Sequence, residues 1–318
     1  MLTYLLRRLA FAAFLVFAVS SGSLLLTRLA PGDYAIDVLG LGARPETVAE
    51  LRARYGLDRS IGAQYREWLG RAARLDFGRS LAYDRPVAEI IPERAANTAI
   101  LAVSALVVAT LVGLPLGVLT GSRRSGALPG AVRAASLMLL SMPPLVTSLF
   151  LVFLAARTGW FPIGGMRSVN AGAGGAAAAW DLARHMVVPV LALALPLSAM
   201  FERLQSQAMS EVVGQPYVLA ALARGVPGSR VVWRDALKAA LRPVASIYGL
   251  VVGTLLSGSF AVEIITSWPG LGRLMLDALR ARDVYLVAGC GVAGSMFLAA
   301  GTLLSDAALA LVDPRSTE

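Results

Sequence analysis

Lysine, histidine and cysteine each occur once in the 318 residues, and each scarcity removes a kind of chemistry. Lys238 lies in Ala-Leu-Lys-Ala-Ala, whereas a Walker-type phosphate loop needs Gly-Lys-Ser/Thr after a glycine-rich turn, so the chain carries no such nucleotide motif. Any ATP used alongside it binds to another chain. Cys290 and His185 are too few for a four-ligand zinc site, and a lone cysteine closes no internal disulfide. Metal, redox and Ser-His-Asp enzymes therefore lose ground. Charge is also scarce, at 15% of residues, and aromatics make up only 7%. What fills the chain is aliphatic: 57% of residues are hydrophobic and the mean hydropathy is +0.67, beyond a soluble composition. A soluble fold of that apolarity would expose large sticky patches, while a lipid-facing helix needs about 20 apolar residues in a row. The composition is that of an integral membrane protein. Basic residues exceed acidic ones by 29 to 20, net +9, an excess that in a membrane chain belongs to cytoplasmic loops and anionic headgroups rather than to nucleic acid.

Residues 9–30 form a long apolar run after Arg7 and Arg8, without a small-x-small cleavage site, and read as an uncleaved anchor with a cytoplasmic N-terminus. Residues 31–94 differ. Ten arginines, ten acidic residues and no 18-residue apolar run mark an extramembrane domain, placed outside by the first span. Its pattern predicts one helix capped by Gly56 and a second, amphipathic one over 64–75. Further apolar runs near 95–121, 134–156, 186–201, 244–266 and 285–312 bring the expected spans to six. The loop 122–133 is purely basic and 201–242 carries Arg203, Arg224, Arg230, Arg234, Lys238 and Arg242, so the positive-inside rule puts both in the cytoplasm, together with both chain ends. Residues 157–185, with Trp160 and Trp180 near their ends and a Gly/Ala-rich middle, read as an outer loop. Pro115, Pro143, Pro144, Pro189 and Pro196 interrupt spans and predict kinks. The organisation read from the sequence is thus an end and first span at 1–30, an outer domain at 31–94, and a core at 95–318 containing a cytoplasmic loop at 202–243.

Gly289-Cys-Gly-Val-Ala-Gly294 spells a dinucleotide fingerprint, but it lies inside the last apolar run with no βαβ unit around it. Small residues there, like Gly113, Gly117 and Gly121 at four-residue spacing, permit close helix packing instead. His185, at the entrance to a span, reads as an interfacial residue. Glu202, Glu263 and Asp306 are acids near spans, a costly placement unless each faces a cavity or a partner. They do not cluster in sequence, and no repeated half accompanies them as an ion-coupled carrier would require. The loop from Glu211 to Pro243 sets Val218, Leu219, Leu222, Val231, Val232, Trp233 and Leu237 among its charges, and predicts short helices broken near 225–228 and ended by Pro243. A solvated loop needs no such apolar stripe. It docks, either onto this chain's own spans or into a partner's groove.

Within that loop Ala220, Ala221, Gly225 and Pro243 stand where the coupling loop of bacterial ABC importer permeases has its Ala-Ala, glycine and proline, and the chain resembles those subunits. Leu219 takes the place of the motif's initial acid, and Asp235-Ala-Leu237-Lys238 that of its I-x-L-P part; the H-A-L-R-N frequent in the peptide/nickel branch is D-A-L-K-A here. P-G-D at 31–33, Y-G-L-D at 55–58, L-D-F-G-R-S at 75–80, S-M-P-P at 141–144, S-W-P-G-L-G-R at 267–273 and D-P-R at 313–315 extend the likeness nearly end to end. The chain looks like the first permease subunit of a dipeptide/oligopeptide importer. That resemblance implies an all-α membrane protein with six transmembrane helices in the type I ABC importer permease fold and an extracytoplasmic insertion between the first two. It implies as partners a homologous second permease subunit, two ATP-binding subunits, an extracytoplasmic solute-binding protein and the surrounding lipids. No residue of this chain would be catalytic and no cofactor would be its own, ATP and magnesium being held by the partner subunits. Glu211, Leu219, Ala220, Ala221, Gly225, Asp235, Leu237 and Pro243 would form the coupling loop. The pathway would run against the partner permease, along Ser141, Met142, Pro143 and Pro144 and along Gly253, Ser257 and Glu263 of the fifth span. Glu263 would either attract a cationic peptide terminus or pair with an arginine such as Arg273. Peptides are the expected substrate; nickel or another small solute, or a carrier working without an ATPase, are the alternatives.

Overall fold

The computed structural model describes residues 2–29, 34–40, 43–72, 74, 76–123, 125–168 and 175–312, with only the backbone course described at 2–9, 12, 24, 27–29, 37, 257 and 304–312. The stretches 31–33, 169–174 and 313–315, and the side chains of Ser257 and Asp306, lie outside the described residues. In chain order the helices are α1 (Leu2–Leu29), α2 (Tyr34–Leu39), α3 (Pro45–Arg54), α4 (Ile61–Ala72), α5 (Val87–Ser122), α6 (Ala127–Leu140), α7 (Pro144–Thr158), α8 (Gly175–Val213), α9 (Pro216–Ala223), α10 (Gly228–Arg230), a π-helical turn (Val231–Ala236), α11 (Leu237–Ala240), α12 (Arg242–Ile265), α13 (Leu271–Arg280) and α14 (Val284–Val312). Among the described residues there is no strand, only an isolated bridge between Arg79 and Pro86.

The all-helical reading holds. Among the described residues α5, α8, α12 and α14 are long and apolar enough to cross a membrane, and α6 with α7 makes a fifth if that pair, bent by 105°, is one span. The bend falls where the prolines predict it. Pro143, at φ −59 and ψ 148, is extended because the next residue is also proline, and Pro144 opens α7, where a missing N–H is harmless. Pro189 and Pro196, by contrast, lie inside a continuous α8.

Three boundaries differ from expectation. At 1.5 Å per residue, the 36 residues of α5 and 39 of α8 reach about 54 and 58 Å, well past an apolar core of about 30 Å. Hence α5 starts at Val87, before the apolar run, and α8 absorbs the end of the expected outer loop: Trp180 and His185 are helical, the connection described being 159–168. His185 is buried, with Nδ1 2.8 Å from the Asp181 carbonyl. Pro243 does not end a helix but lies in the first turn of α12. A proline marks a helix start as readily as a stop.

The chain divides into two compact units. The first comprises 1–98 and 269–299. Here α3 ends at a Schellman turn as Gly56 predicts: φ is +63, Gly56 N–H bonds Ala53 O and Leu57 N–H bonds Arg52 O. Trp68 of α4 is buried against Ala288, and Tyr65 Oη lies 2.9 Å from Ser21 Oγ of α1. The L-D-F-G-R-S motif closes a turn around Asp283, whose Oδ2 accepts from Ser80 Oγ at 2.6 Å and Ala82 N at 3.0 Å, while Oδ1 caps α14 through Leu286 N at 3.0 Å. Gly78, at φ +91, lets the turn lie on Tyr285, whose ring carbon would stand 3.1 Å from any Cβ there. In S-W-P-G-L-G, Leu271 N donates to Thr98 Oγ1 at 2.8 Å and Pro269 O accepts from Asn97 Nδ2 at 2.9 Å.

The second unit comprises 99–268 and 300–318. Its core stripe on α5 repeats every four residues: Leu101, Ala105 and Ala109 pack with Val190, Leu193, Leu197 and Phe201 of α8 and with Val251, Leu255 and Val262 of α12. The stripe continues as Gly113, Gly117 and Gly121, so its side chains shrink along the helix and α5 and α8 come together backbone to backbone. A Cβ at Gly113 would stand 2.5 Å from Ser198 O and one at Gly117 2.6 Å from both Glu202 O and Gln205 Cβ; one at Gly121 would strike Ser206 O and Met209 Cβ. The partners ascend together, so α5 and α8 run parallel. On α12, Tyr248 stacks on Phe201 at 5.2 Å while Gly258 meets Leu193, so α12 runs antiparallel to α8.

Candidate functional site

The loop after α8 is built from short helices whose ends follow from their residues. Pro216 opens α9, and α9 closes in a second Schellman turn, with Gly225 N–H on Leu222 O at 2.9 Å and Val226 N–H on Ala221 O at 3.2 Å. Gly225 has φ +81, and a Cβ there would meet nothing within 4 Å. Its glycine serves the backbone reversal, not a close approach within this chain. Pro227 then precedes α10, and the π-helical turn carries the chain into α11.

Apolar residues of this loop divide between two faces, one of which docks onto this chain's own helices. Val218, Ala221, Val231, Ala236 and Ala240 are buried against Val118 of α5 and Ala208 and Met209 of α8. Tyr217, Leu219, Leu222 and Trp233 are instead 50%, 53%, 41% and 52% exposed and form an apolar face that this chain leaves uncovered. Of the other residues singled out by sequence, Glu211, Ala220, Gly225 and Asp235 are exposed, Leu237 is half-buried, and Pro243 belongs to the next helix. Arg224, Arg230, Arg234 and Lys238 are exposed around that apolar face.

The second candidate group comes together in part. Pro144 Cγ would be 3.5 Å from a Cβ at Gly258, with Leu193 Cδ2 at 3.4 Å, so the proline break and the middle of α12 lie against each other with room for ordinary contact there. Ser141 and Pro143 are exposed, and Met142 and Gly253 are half-buried. Ser141 Oγ returns to Leu137 O at 3.0 Å. Glu263 is wholly buried near the end of α12, its carbonyl accepting from Trp268 N at 2.9 Å.

Glu202 received no role from the sequence beyond its cost in a span. It is 3% exposed, and Thr120 Oγ1 donates to its Oε1 at 2.6 Å. It lines a cavity of about 380 Å³ with Arg133, Ser136, Leu137 and Leu140 of α6 and Arg203, Ser206, Gln207 and Ser210 of α8. The signal was present: the α6 residues recur at 0, 3, 4 and 7 and the α8 residues at 0, 1, 4, 5 and 8, each one face of a helix.

Comparison with known proteins bears on this geometry. The family described as "Binding-protein-dependent transport system inner membrane component" matches residues 113–318, and the companion "Binding-prot-dependent transport system membrane comp, N-term" matches 1–102. The chain belongs to this family of transport-system membrane components. Its similarity to individual members runs end to end. It is 30% identical over 317 residues, 99% of each chain, to the oligopeptide transport system permease protein AppB of Bacillus subtilis. It is 32% identical over 313 residues, 98% of each chain, to the probable peptide ABC transporter permease protein y4tP of Sinorhizobium fredii. A putative peptide permease protein of Brucella suis is 32% identical over 320 residues, 99% of each chain. Membership makes this a transport component of the inner membrane.

Proposed function

We propose that the chain is the transmembrane permease subunit of an ATP-driven importer of peptides. It works with a homologous second permease subunit, two ATP-binding subunits that hold ATP and magnesium, and an extracytoplasmic solute-binding protein. The observation that carries this reading is the two-faced loop between α8 and α12. Its inner face is fastened to the spans through Val218, Ala221, Val231 and Ala236, and its outer face offers Tyr217, Leu219, Leu222 and Trp233 to a groove. A displacement of the outer face therefore moves α5 and α8. ATP shifts the permease between its two conformations only as far as the loaded ATPase binds one of them better.

The topology proposed is six spans, α1, α5, α6 with α7, α8, α12 and α14, with both ends in the cytoplasm. The parallel course of α5 and α8 supports it, since a chain that crosses twice in the same direction must return in between, and α6–α7 is the segment available. Residues 31–86 then face outward toward the solute-binding protein. There Arg54, Arg59, Arg71 and Arg79 rim a cavity whose lining holds one acid, Glu67, bonded to Arg59 at 2.9 Å and Arg71 at 2.5 Å. Reaction with an impermeant thiol reagent at Arg66→Cys, an exposed position of α4, reports the side; labelling from the cytoplasm alone would overturn the topology.

The function is tested with proteoliposomes holding the complete complex and the solute-binding protein. ATP-dependent accumulation of a labelled tripeptide is expected. Uptake by the permease alone would make it a carrier, and accumulation of nickel without peptide would reassign the substrate.

A further inference from the structure

The cavity between α6 and α8 sets one buried carboxylate beside two exposed arginines and two serine hydroxyls. Glu202 is 3% exposed, and the hydrogen bond it accepts engages one of its two carboxylate oxygens. Arg133 is occupied in part by backbone, its Nη2 donating to Thr120 O at 2.5 Å and Arg123 O at 3.2 Å. Arg203 makes no ion pair or hydrogen bond with any described residue. Ser136, 7% exposed, and Ser206 likewise have hydroxyls without a partner among the described residues. One carboxylate oxygen, one guanidinium and two hydroxyls thus converge on an unfilled volume of about 380 Å³, within the 300–1,000 Å³ of typical small-ligand pockets. Glu202 is buried while Arg133 and Arg203 are exposed at the mouth of the cavity, so the desolvation cost falls on the carboxylate, and a buried acid at the end of a span that carries such a cost marks a functional site.

We propose that this cavity binds the charged ends of a short zwitterionic peptide during translocation. Glu202 takes the ammonium, and Arg203, assisted by the hydroxyls of Ser136 and Ser206, takes the carboxylate. An anionic headgroup would fit the arginines but would meet the fixed carboxylate of Glu202, whereas a zwitterion satisfies both signs at once. This rests on the peptide-permease reading above and extends it: the chain itself reads the termini of its cargo, at the end of α8 that leads into the loop.

The test uses the assembled complex in nanodiscs, with Ser210→Cys as a reporter inside the cavity; the native Cys290 is 2% exposed and serves as the slow internal reference. Alkylation of position 210 is followed by mass spectrometry of this chain. Trialanine is expected to slow it at least fivefold, and N-acetyltrialanine and trialaninamide less than twofold each. With Glu202→Gln, which keeps an acceptor for Thr120, trialanine and its N-acetyl form should protect equally. With Arg203→Gln, trialanine and its amide should. No protection by trialanine, or equal protection by the capped peptides in the unaltered cavity, overturns the proposal. So does protection that follows phosphatidylglycerol content instead of peptide. Should Ser210→Cys fail to assemble, Gln207→Cys gives the same readout. ATP-driven peptide uptake by the unaltered complex is scored separately: its absence would count against the importer reading, while unprotected labelling in an active importer would count against this site alone.

Discussion

Gly117→Ala inserts one carbon where α5 and α8 already touch. The new Cβ would begin 2.6 Å from Gln205 Cβ and 2.6 Å from the Glu202 carbonyl oxygen, against about 3.5 Å for comfortable contact, so the helices must part by roughly 1 Å. A gap of 0.5–1 Å forfeits a quarter to a half of a contact worth about 0.1–0.2 kcal/mol; over some 30–40 atom pairs along the stripe the loss is roughly 1–3 kcal/mol. The range matches what overpacking costs elsewhere. Replacing glycine in a helix returns up to about 1 kcal/mol, leaving a net loss of up to roughly 2 kcal/mol, or a fall of up to a few degrees in Tm. One separation accommodates all three new carbons, so Gly113→Ala/Gly117→Ala/Gly121→Ala should be far less destabilising than three single changes added together. Gly130→Ala in α6, where a Cβ meets nothing within 4 Å, is the control and should be neutral or slightly stabilising. Thermal challenge of the detergent-solubilised complex, read by size-exclusion chromatography, measures each. The reasoning fails if Gly117→Ala survives as well as Gly130→Ala, or if the triple variant loses the full sum.

At Gly225 the requirement is a positive φ, so Gly225→Asn should retain most ATP-driven uptake, while Gly225→Trp, with its bulk on the exposed face of the loop, should abolish it with the spans still inserted; equal uptake by both variants would show that neither the turn nor the face matters. Trp233→Ala removes a half-exposed aromatic from the proposed contact with the ATPase and should weaken its co-purification about 30-fold, the scale of a 2 kcal/mol hot spot, without lowering the Tm of the permease; unchanged recovery of ATPase would place the contact elsewhere. Asp283→Ala deletes the acceptor shared by Ser80, Ala82 and Leu286 and should cost about 2–4 kcal/mol, visible as early protease cleavage within 76–86, with Asp283→Asn milder; an uncleaved Asp283→Ala would mean the turn is held by other contacts.

What could be read in advance depended on how local its physics is. The Gly113, Gly117 and Gly121 spacing, the break at Pro143 and Pro144, and the Gly56 cap each follow from a few consecutive residues, and each takes the form expected. Pro243 opens a helix where the sequence predicts a stop, because proline has two permitted meanings at a helix boundary and only the turn before it distinguishes them. The outer loop is shorter than its Gly/Ala composition suggests, since the alanines at 176–179 are strong helix formers and extend α8 backward. The division of the loop between buried and exposed apolar residues, and the cavity around Glu202, could not be read that way. Each joins helices distant in sequence, and the cavity needs Arg133 and Ser136 beside residues some seventy positions later.

The bend between α6 and α7 constrains how this membrane protein can be made. With 14 and 15 residues the two halves are about 21 and 22 Å long, so neither alone spans an apolar core of about 30 Å. As the segment leaves the ribosome it has no neighbour for the polar backbone freed at the break. Gly258 of α12, which lies against Pro144, belongs to chain not yet synthesised. At about 5–20 residues per second it arrives some 5–20 s later. If the pair is one span, its halves would until then need to be held at the insertion machinery or sheltered by a partner, and the proline pair would set a waiting step in biogenesis as well as a bend in the finished protein.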